Sequence, residues 1–162
     1  MLSIQWGNEY QREPTPVQLG QADVFTASGD IDLIVGNHAH VVQPVGVIND
    51  VPVIFGLGNF LSNQSAECCP AASQDGVIIV ATVRGTPSAG FRVIGLTIVP
   101  TWVDRSDYTI IHLGDALDDP MIDQWQRDVY QTSFDRTMEA VTLLGANFIA
   151  ADPVEETTEA DS

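Results

Sequence analysis

A short unbroken apolar run, Leu33 to Val35, constrains the fold of this chain more than any other feature. Such a run is typical of a strand that is covered on both faces, as the strands of parallel sheets are. The segment Thr15-Pro16-Val17-Gln18 is a helix start in which the threonine is the N-cap and the glutamine completes a capping box, so a helix is predicted over about 16–28. Leu2 to Gln5 is interpreted as an earlier strand, which gives the order strand, helix, strand.

The middle of the chain is rich in β-strand patterns. Asn49-Asp50 separates two apolar runs, Val45 to Ile48 and Val51 to Phe55, in the manner of a two-residue hairpin turn. Clusters of Gly, Pro and Ser punctuate the region that follows. Three further strands are predicted there, at Val77 to Val83, Phe91 to Val99 and Thr101 to Ile111.

A second amphipathic helix is predicted over about 121–145, with one apolar face that docks on a sheet. The residues of that face are Ile122, Trp125, Val129, Tyr130, Phe134, Met138 and Val141. Residues 146–162 are acidic, have no apolar periodicity and are predicted to be a disordered tail. The sequence therefore predicts one α/β domain over 1–145, in which a strand, a helix and a strand are followed by a β-rich segment and a C-terminal helix.

The charge of the chain excludes two classes of partner. Its 162 residues include six basic ones, all of them Arg, and 22 acidic ones, which gives a net charge of −16. Nucleic acids and anionic lipids bind proteins of the opposite sign, so neither is predicted as a partner. No run of about 18 apolar residues occurs, so no membrane span is predicted. The start of the chain has neither the cationic nor the apolar stretch of a signal peptide, and it predicts no location.

Several side chains that often carry chemistry have an ordinary structural interpretation here. Cys68 and Cys69 are interpreted as two loop thiols, because an adjacent pair closes only a strained ring when oxidised and zinc ligands are usually spaced further apart. The other interpretations are a plain strand-end residue for His112, core residues for Trp6 and Trp102, and a turn leading into a strand for Asp75-Gly76.

His38 and His40 are the strongest candidates for a functional site. They follow the strand at Leu33 to Val35, in the kind of turn where α/β proteins place ligand-binding residues. An extended backbone sends residues i and i+2 to the same side, so both rings could reach one ion or two ions that share a bridge. On spacing alone, two histidines that are satisfied within a loop are an equal alternative.

Three blocks of sequence occur in a fixed order. They are Gln5-Trp6-Gly7-Asn8-Glu9-Tyr10 with Pro14 and Gln18 downstream, Asp32 to Pro44 with Gly36-Asn37-His38-Ala39-His40 inside it, and Gly56-Leu57-Gly58-Asn59-Phe60. Together they resemble the CapA family, which comprises bacterial capsule-synthesis proteins linked to poly-γ-glutamate. The resemblance is close over 3–61 and less specific up to about 112. It implies a domain of the calcineurin-like metallophosphatase superfamily, an α/β sandwich in which two β-sheets are covered by helices.

The resemblance also implies metal ligands. His38 and His40 match the last metal motif of the family, in which both histidines are ligands in a two-metal site. Gln5 stands where the family usually has a further histidine ligand. Its amide oxygen is a weaker donor than imidazole toward zinc, manganese or iron, so Gln5 is a weak candidate.

Glu9, Asn37 and Asn59 are candidates for contacts to the substrate or to the metal ligands, because they stand in the same three blocks. For two of them a structural interpretation is equally open. In that interpretation Asn59 satisfies the backbone of a turn and Glu9 is solvated.

The earlier metal motifs of the family have no counterpart in this sequence, so the chain resembles the carboxy-terminal half of the family domain. For the complete domain, the resemblance implies metal-dependent phosphoester hydrolysis with Mn, Fe or Zn, or a related role in building or anchoring a polyanionic polymer at the cell envelope. For this chain, it implies weak or absent metal binding and a partner, which is either the missing amino-terminal half or a second copy. The alternative is a non-catalytic binding or assembly module in capsule polymer export, with Gln5 as a sign of relaxed metal chemistry.

Overall fold

The computed structural model describes residues 1–145 and the backbone of a two-residue strand at 149–150. The helices in this part of the chain are α1 (Pro16–Ala27), α2 (Leu113–Asp118) and α3 (Gln124–Thr142), and a short 3₁₀ turn spans Ala71–Gln74. The strands are β1 (Leu2–Gln5), β2 (Ile34–Asn37), β3 (Val45–Ile48), β4 (Val51–Ile54), β5 (Asp75–Thr86), β6 (Gly90–Asp104), β7 (Thr109–His112) and β8 (Ile149–Ala150).

The first sheet has the strand order β1-β2-β4-β3. Strands β1, β2 and β4 run parallel, and β3 is antiparallel to β4. Asn49 and Asp50, which connect β3 to β4, have φ angles of 50° and 63°. Positive φ at both central residues is the geometry of a type I′ turn, so the predicted two-residue hairpin is confirmed.

Helix α1 connects β1 to β2 and covers one face of the first sheet. The Thr15 hydroxyl accepts a hydrogen bond from the Gln18 N–H, and the Gln18 side chain accepts one from the Thr15 N–H at 2.9 Å. The predicted helix and its capping box are therefore confirmed. The residues buried between the helix and the sheet are Trp6, Ala22, Ile34, Val53 and Phe55.

The second sheet packs face to face against the first. In it, β6 is antiparallel to both β5 and β7 and pairs in parallel with β8. The core between the sheets contains Leu33, Val42, Val45, Ile54, Val77, Leu96 and Ile98, and the end of α3 adds Ala140 and Val141. Two sheets with helices on the outside agree with the α/β class that the sequence predicts.

The predicted division of the β-rich segment is wrong at one point. The sequence suggested that Pro100 separates two strands, but it lies inside β6, opposite Val77 of β5. The fixed φ of proline falls within the extended region, so the residue does not end the strand. The chain turns instead after Asp104, and β7 begins at Thr109.

The apolar face predicted for the last helix is confirmed in part, since Tyr130 and Val141 are buried and Ile122, Val129 and Phe134 pack against a core cluster. The residues of α3 that are buried are Tyr130, Ser133, Thr137, Ala140 and Val141, whereas Trp125 is 63% exposed. Ser133 donates a hydrogen bond of 2.6 Å to the buried carboxylate of Asp75. A buried charge needs polar partners, which accounts for a buried serine in the middle of this helix.

Asp75 and the two cysteines also correct the sequence interpretation. Asp75 is the first residue of β5 and is 1% exposed, so it is not an ordinary turn residue. Cys68 and Cys69 are joined by a disulfide rather than present as two loop thiols. Trp6 and Trp102 are buried, and His112 is the last residue of β7, as predicted.

The predicted tail at 146–162 lies outside the described residues, except for the backbone of β8. None of the helices that the structure describes is long and apolar enough to cross a membrane.

Candidate metal site

The three parallel strands of the first sheet end at the same edge, and the candidate site residues gather there. Gln5 is the last residue of β1 and lies opposite Asn37, the last residue of β2. His38 and His40 follow β2 directly, and Asn59 follows β4 after a loop of four residues, 55–58. Ligand sites of open α/β sheets lie at the carboxyl ends of strands, so the topology alone places these polar side chains at a binding edge.

His38 and His40 both have a left-handed backbone, with φ angles of 96° and 58°. The argument from an extended backbone is therefore wrong, because β2 ends before them. The two rings nevertheless lie close together, with centroids 6.3 Å apart. Two imidazoles bound to one ion have centroids at most about 6.5 Å apart, since metal–nitrogen bonds are about 2 Å long. Non-glycine residues in this conformation are strained, and such strain clusters at functional sites.

Asn59 determines which nitrogen of His40 is free. The Asn59 Nδ2 group donates to the carbonyl oxygen of Ser73 at 2.9 Å, and a carbonyl can only accept, so Oδ1 must face the histidine. This Oδ1 atom lies 2.9 Å from His40 Nδ1, which must then carry the proton. In the neutral ring the Nε2 atom of His40 then has the lone pair, which is the form of imidazole that binds a metal.

We expect Asn59→Ala to change the tautomer of His40. Without the acceptor, the imidazole proton is free to move to Nε2, and Nδ1 loses its partner. Long-range ¹H–¹⁵N spectra of the His rings report the tautomer directly. Asn63→Ala is the matched control, because among the described residues the Asn63 side chain accepts a hydrogen bond from the exposed Tyr108 hydroxyl and from no other group. A His40 tautomer that is the same in Asn59→Ala as in the wild type would contradict the assignment.

The other candidate site residues are held less firmly than His40 and Asn59. Gln5, Glu9 and His38 are exposed, and Asn37 is half-buried. No side-chain hydrogen bond fixes Gln5, Glu9 or Asn37 in the part of the chain that the structure describes. The same part contains no group of three or more His, Cys, Asp or Glu side chains arranged to hold a metal. Two imidazoles and an amide suit zinc, manganese or iron, but they leave the coordination shell of a divalent ion open.

A buried pair of glutamines, which no local sequence pattern predicts, fixes the two loops that carry the site. Gln18 of α1 donates to Gln43 at 2.9 Å, and Gln43 donates to the Gln11 carbonyl oxygen, also at 2.9 Å. Both glutamine side chains are essentially inaccessible to solvent. Because a buried amide must be paired, these bonds hold the loop after β1 against the loop after β2. Both residues stand in the resembling blocks, but their pairing is not a local pattern.

Tyr10 is a second residue that sequence reasoning missed. Its backbone is also left-handed, with φ at 62°, and its N–H donates to the carbonyl oxygen of Ala39 at 2.7 Å. Its ring lies 6.1 Å from the ring of His40. Three strained residues, Tyr10, His38 and His40, therefore occur side by side at this edge of the sheet.

The second sheet supports the site through Asp75. Its carboxylate accepts two hydrogen bonds from Arg136, at 2.6 and 2.7 Å, and its carbonyl oxygen accepts one from the Asn59 N–H at 3.1 Å. Burial raises the pKa of the Asp75 carboxyl above its ordinary value, and the hydrogen bond and charge of Arg136 oppose the rise. The ion pair thus anchors α3 to the strand that holds the Asn59 loop.

Comparison with known proteins finds similarity to capsule synthesis proteins. The family model described as "Bacterial capsule synthesis protein PGA_cap" matches residues 1–64. The chain is 39% identical over 64 residues to the "PGA biosynthesis protein CapA" of Bacillus subtilis (strain 168), which covers 40% of this chain and 17% of that protein. It is 30% identical over 98 residues to the "Capsule biosynthesis protein CapA" of Bacillus anthracis, which covers 60% of this chain and 23% of that protein.

Over this segment the chain is similar to capsule synthesis proteins of the CapA family. The matched segment contains β1, α1, β2, the β3–β4 hairpin and every candidate site residue from Gln5 to Asn59. The aligned segments span less than a quarter of either relative.

Proposed function

We propose that this chain provides two histidine ligands of a metal-dependent phosphoesterase site in a CapA-type capsule protein. The observation that carries the proposal is the state of His40. Its Nδ1 is bound to Asn59, so its Nε2 is free to bind a metal beside the ring of His38. A purely structural role for His40 would explain its bond to Asn59, but it would not explain the neighbouring imidazole or the strained backbone.

Each residue has a distinct part in the proposed site. His38 and His40 bind the ion, Asn59 orients His40, and Gln5 adds a weak oxygen donor from the end of β1. When bound, a divalent ion supplies Lewis-acid polarisation of a phosphoryl oxygen. We propose that Asn37, the last residue of β2, and Glu9, in the loop after β1, contact the substrate. The net charge of −16 attracts divalent cations and repels a polyanionic polymer, so binding of such a polymer would depend on the cation.

An apolar groove beside the site supports completion by a further segment. A groove of about 650 Å³ runs between the two sheets, with Val35 and Asn37 on one side and Val77 and Ile79 on the other. Among the described residues, β1 pairs on one side only, so the backbone groups of its other edge are free to bind a strand. We propose that part of the CapA-type domain outside these 162 residues covers the groove and adds the remaining ligands. A second copy of the chain is the alternative occupant.

Phosphoester hydrolysis tests the proposal. Turnover of p-nitrophenyl phosphate and bis-p-nitrophenyl phosphate with Mn²⁺ would be measured for this chain and for a chain extended by the coding sequence upstream of Met1. We expect no turnover by the short chain, because two metals and a bridging ligand are needed. We expect turnover by the extended chain, and a loss of about 100-fold or more in His38→Ala or His40→Ala.

His112→Ala is the matched control, since His112 lies at the end of β7 and its ring contacts Asp115, at 3.6 Å, rather than any residue of the candidate site. Full activity in His38→Ala and His40→Ala would show that the ligand assignment is wrong. A folded extended chain with no turnover would favour the alternative that Gln5 suggests, a non-catalytic binding or assembly module. Turnover by the short chain that depends on His38 would show that the site needs no further segment.

A further inference from the structure

The disulfide between Cys68 and Cys69 lies on the loop that connects β4 to β5, the same loop that carries Asn59. The N–H groups of both cysteines donate to the carbonyl oxygen of Ser65, at 3.1 and 2.8 Å. Cys68 is exposed and Cys69 is half-buried. The pair thus forms a fixed corner of the loop in which one of the two cysteines is exposed.

Tyr10 connects this corner to the candidate metal site. The hydroxyl group of Tyr10 donates to the Cys69 sulfur at 3.9 Å. The centroid of its ring lies 6.1 Å from the centroid of the His40 ring. Its N–H is bonded to Ala39, between the two histidines. Any movement of the Cys69 sulfur therefore changes what Tyr10 packs against, and Tyr10 packs beside His40.

The same loop also holds His40 from the other side. Asn59, which binds His40 Nδ1, donates to the side chain of Gln64 at 3.1 Å and to the carbonyl oxygen of Ser73 at 2.9 Å. The disulfide lies between those two anchor points in the sequence. His40 is thus held by the loop directly through Asn59 and indirectly through Cys69 and Tyr10.

We propose that Cys68 and Cys69 form a reversible thiol–disulfide site that sets the position of the His40 ring. The reductant is a dithiol. Its thiolate attacks the sulfur of Cys68, the more exposed of the two cysteines, the bond between Cys68 and Cys69 breaks, and the Cys69 thiolate that leaves takes up a proton. The second thiol of the reductant then attacks the mixed disulfide, which releases Cys68 as a thiol. Two electrons and two protons pass to the protein, and the reductant becomes a disulfide.

In the oxidised protein the Cys69 sulfur is fixed by its neighbour and accepts from Tyr10. After reduction it is a free thiol whose side chain can rotate, and Tyr10 loses a fixed partner. The ring of His40 then loses the support of Tyr10 on one side and keeps Asn59 on the other. This coupling requires no metal, so it can be tested whether or not the proposed phosphoesterase site is correct.

The test is to compare protein purified without reductant with protein treated with dithiothreitol. Iodoacetamide labelling and mass spectrometry count the free thiols, and long-range ¹H–¹⁵N spectra follow the three His rings. We expect labelling only after reduction, together with a shift of the His40 resonances. The His112 resonances should not move, because His112 lies outside the site.

Two variants separate the coupling from a general effect of the reductant. Cys68→Ser combined with Cys69→Ser should give the reduced His40 spectrum in both conditions. Tyr10→Leu should keep the disulfide but remove the response of His40 to its reduction, as expected of a positioning residue. The proposal is wrong if two thiols are labelled without reductant, or if the His40 resonances are the same in the oxidised and reduced protein.

Discussion

Replacement of Gly36 with alanine is expected to lower the free energy of unfolding by about 4 kcal/mol or more. Gly36 lies in β2, and a Cβ atom there would overlap the Phe55 carbonyl oxygen and the Trp6 indole nitrogen. Those two atoms form a buried hydrogen bond of 2.7 Å with each other. The added methyl group must either break this bond or separate β2 from β4, and both changes disturb packed core. Urea unfolding measured by circular dichroism gives the difference.

Gly20→Ala is the matched control for this prediction. Gly20 lies inside α1, and an added Cβ meets no atom within 4 Å. Alanine has a higher helix propensity than glycine, so this variant should be more stable than the wild type by about 0.5–1 kcal/mol. Equal midpoints for Gly36→Ala and the wild type would show that β2 and the Trp6 side chain do not pack as described.

Arg136→Met is expected to lower the free energy of unfolding at pH 7 by about 3–5 kcal/mol. The side chain of Asp75 is only 2% exposed, and methionine would leave its carboxylate buried without a cation. Burial already raises the pKa of Asp75, and removal of Arg136 removes the largest opposing cause, so the pKa rises further. The loss of stability in Arg136→Met comes from the unpaired charge of the Asp75 carboxylate, so it exists only at pH values where that carboxyl is charged. The deficit should therefore shrink as the pH falls from 7 towards about 4.

Arg92→Met is the control for the change in charge and side chain. Arg92 is exposed on β6, opposite Arg84 of β5, so its loss should be neutral or slightly stabilising. Urea unfolding of both variants between pH 4 and pH 7 tests the prediction. A deficit of Arg136→Met that stays constant over this range would show that it does not arise from the charge of Asp75.

Local features of the fold were predictable because their determinants are neighbours in the sequence. The capping box at Thr15 and Gln18 and the turn at Asn49 and Asp50 each depend on two residues at most three positions apart. Steric and hydrogen-bond preferences at this range act before any tertiary contact exists. The boundary at Pro100 failed for the opposite reason. Whether a proline ends a strand depends on the neighbouring strands and not on the residues beside it.

The candidate site was predictable in part. The sequence predicted His38, His40, Gln5 and Asn59 as site residues, and the topology brings them to one edge of the first sheet. The roles of His38, His40 and Gln5 as metal ligands, and of Asn59 as the residue that orients His40, stay predictions. The backbone that brings the two histidine rings together is left-handed rather than extended, and this was not predictable from the spacing of the two residues.

The sequence by itself determined the opening strand, helix and strand, the β3–β4 hairpin, the α/β class and the position of the HxH pair at a strand end. Only the tertiary structure decided how buried polar groups are paired. Asp75 and Arg136 are 61 residues apart, Trp6 and Phe55 are 49 apart, and Asn59 and His40 are 19 apart. The free energy of a buried polar group depends on the partner it finds when the chain folds, and a partner so distant leaves no periodic pattern in the sequence. For that reason the face of α3, the pairing of Asp75 and the tautomer of His40 follow from tertiary contacts alone.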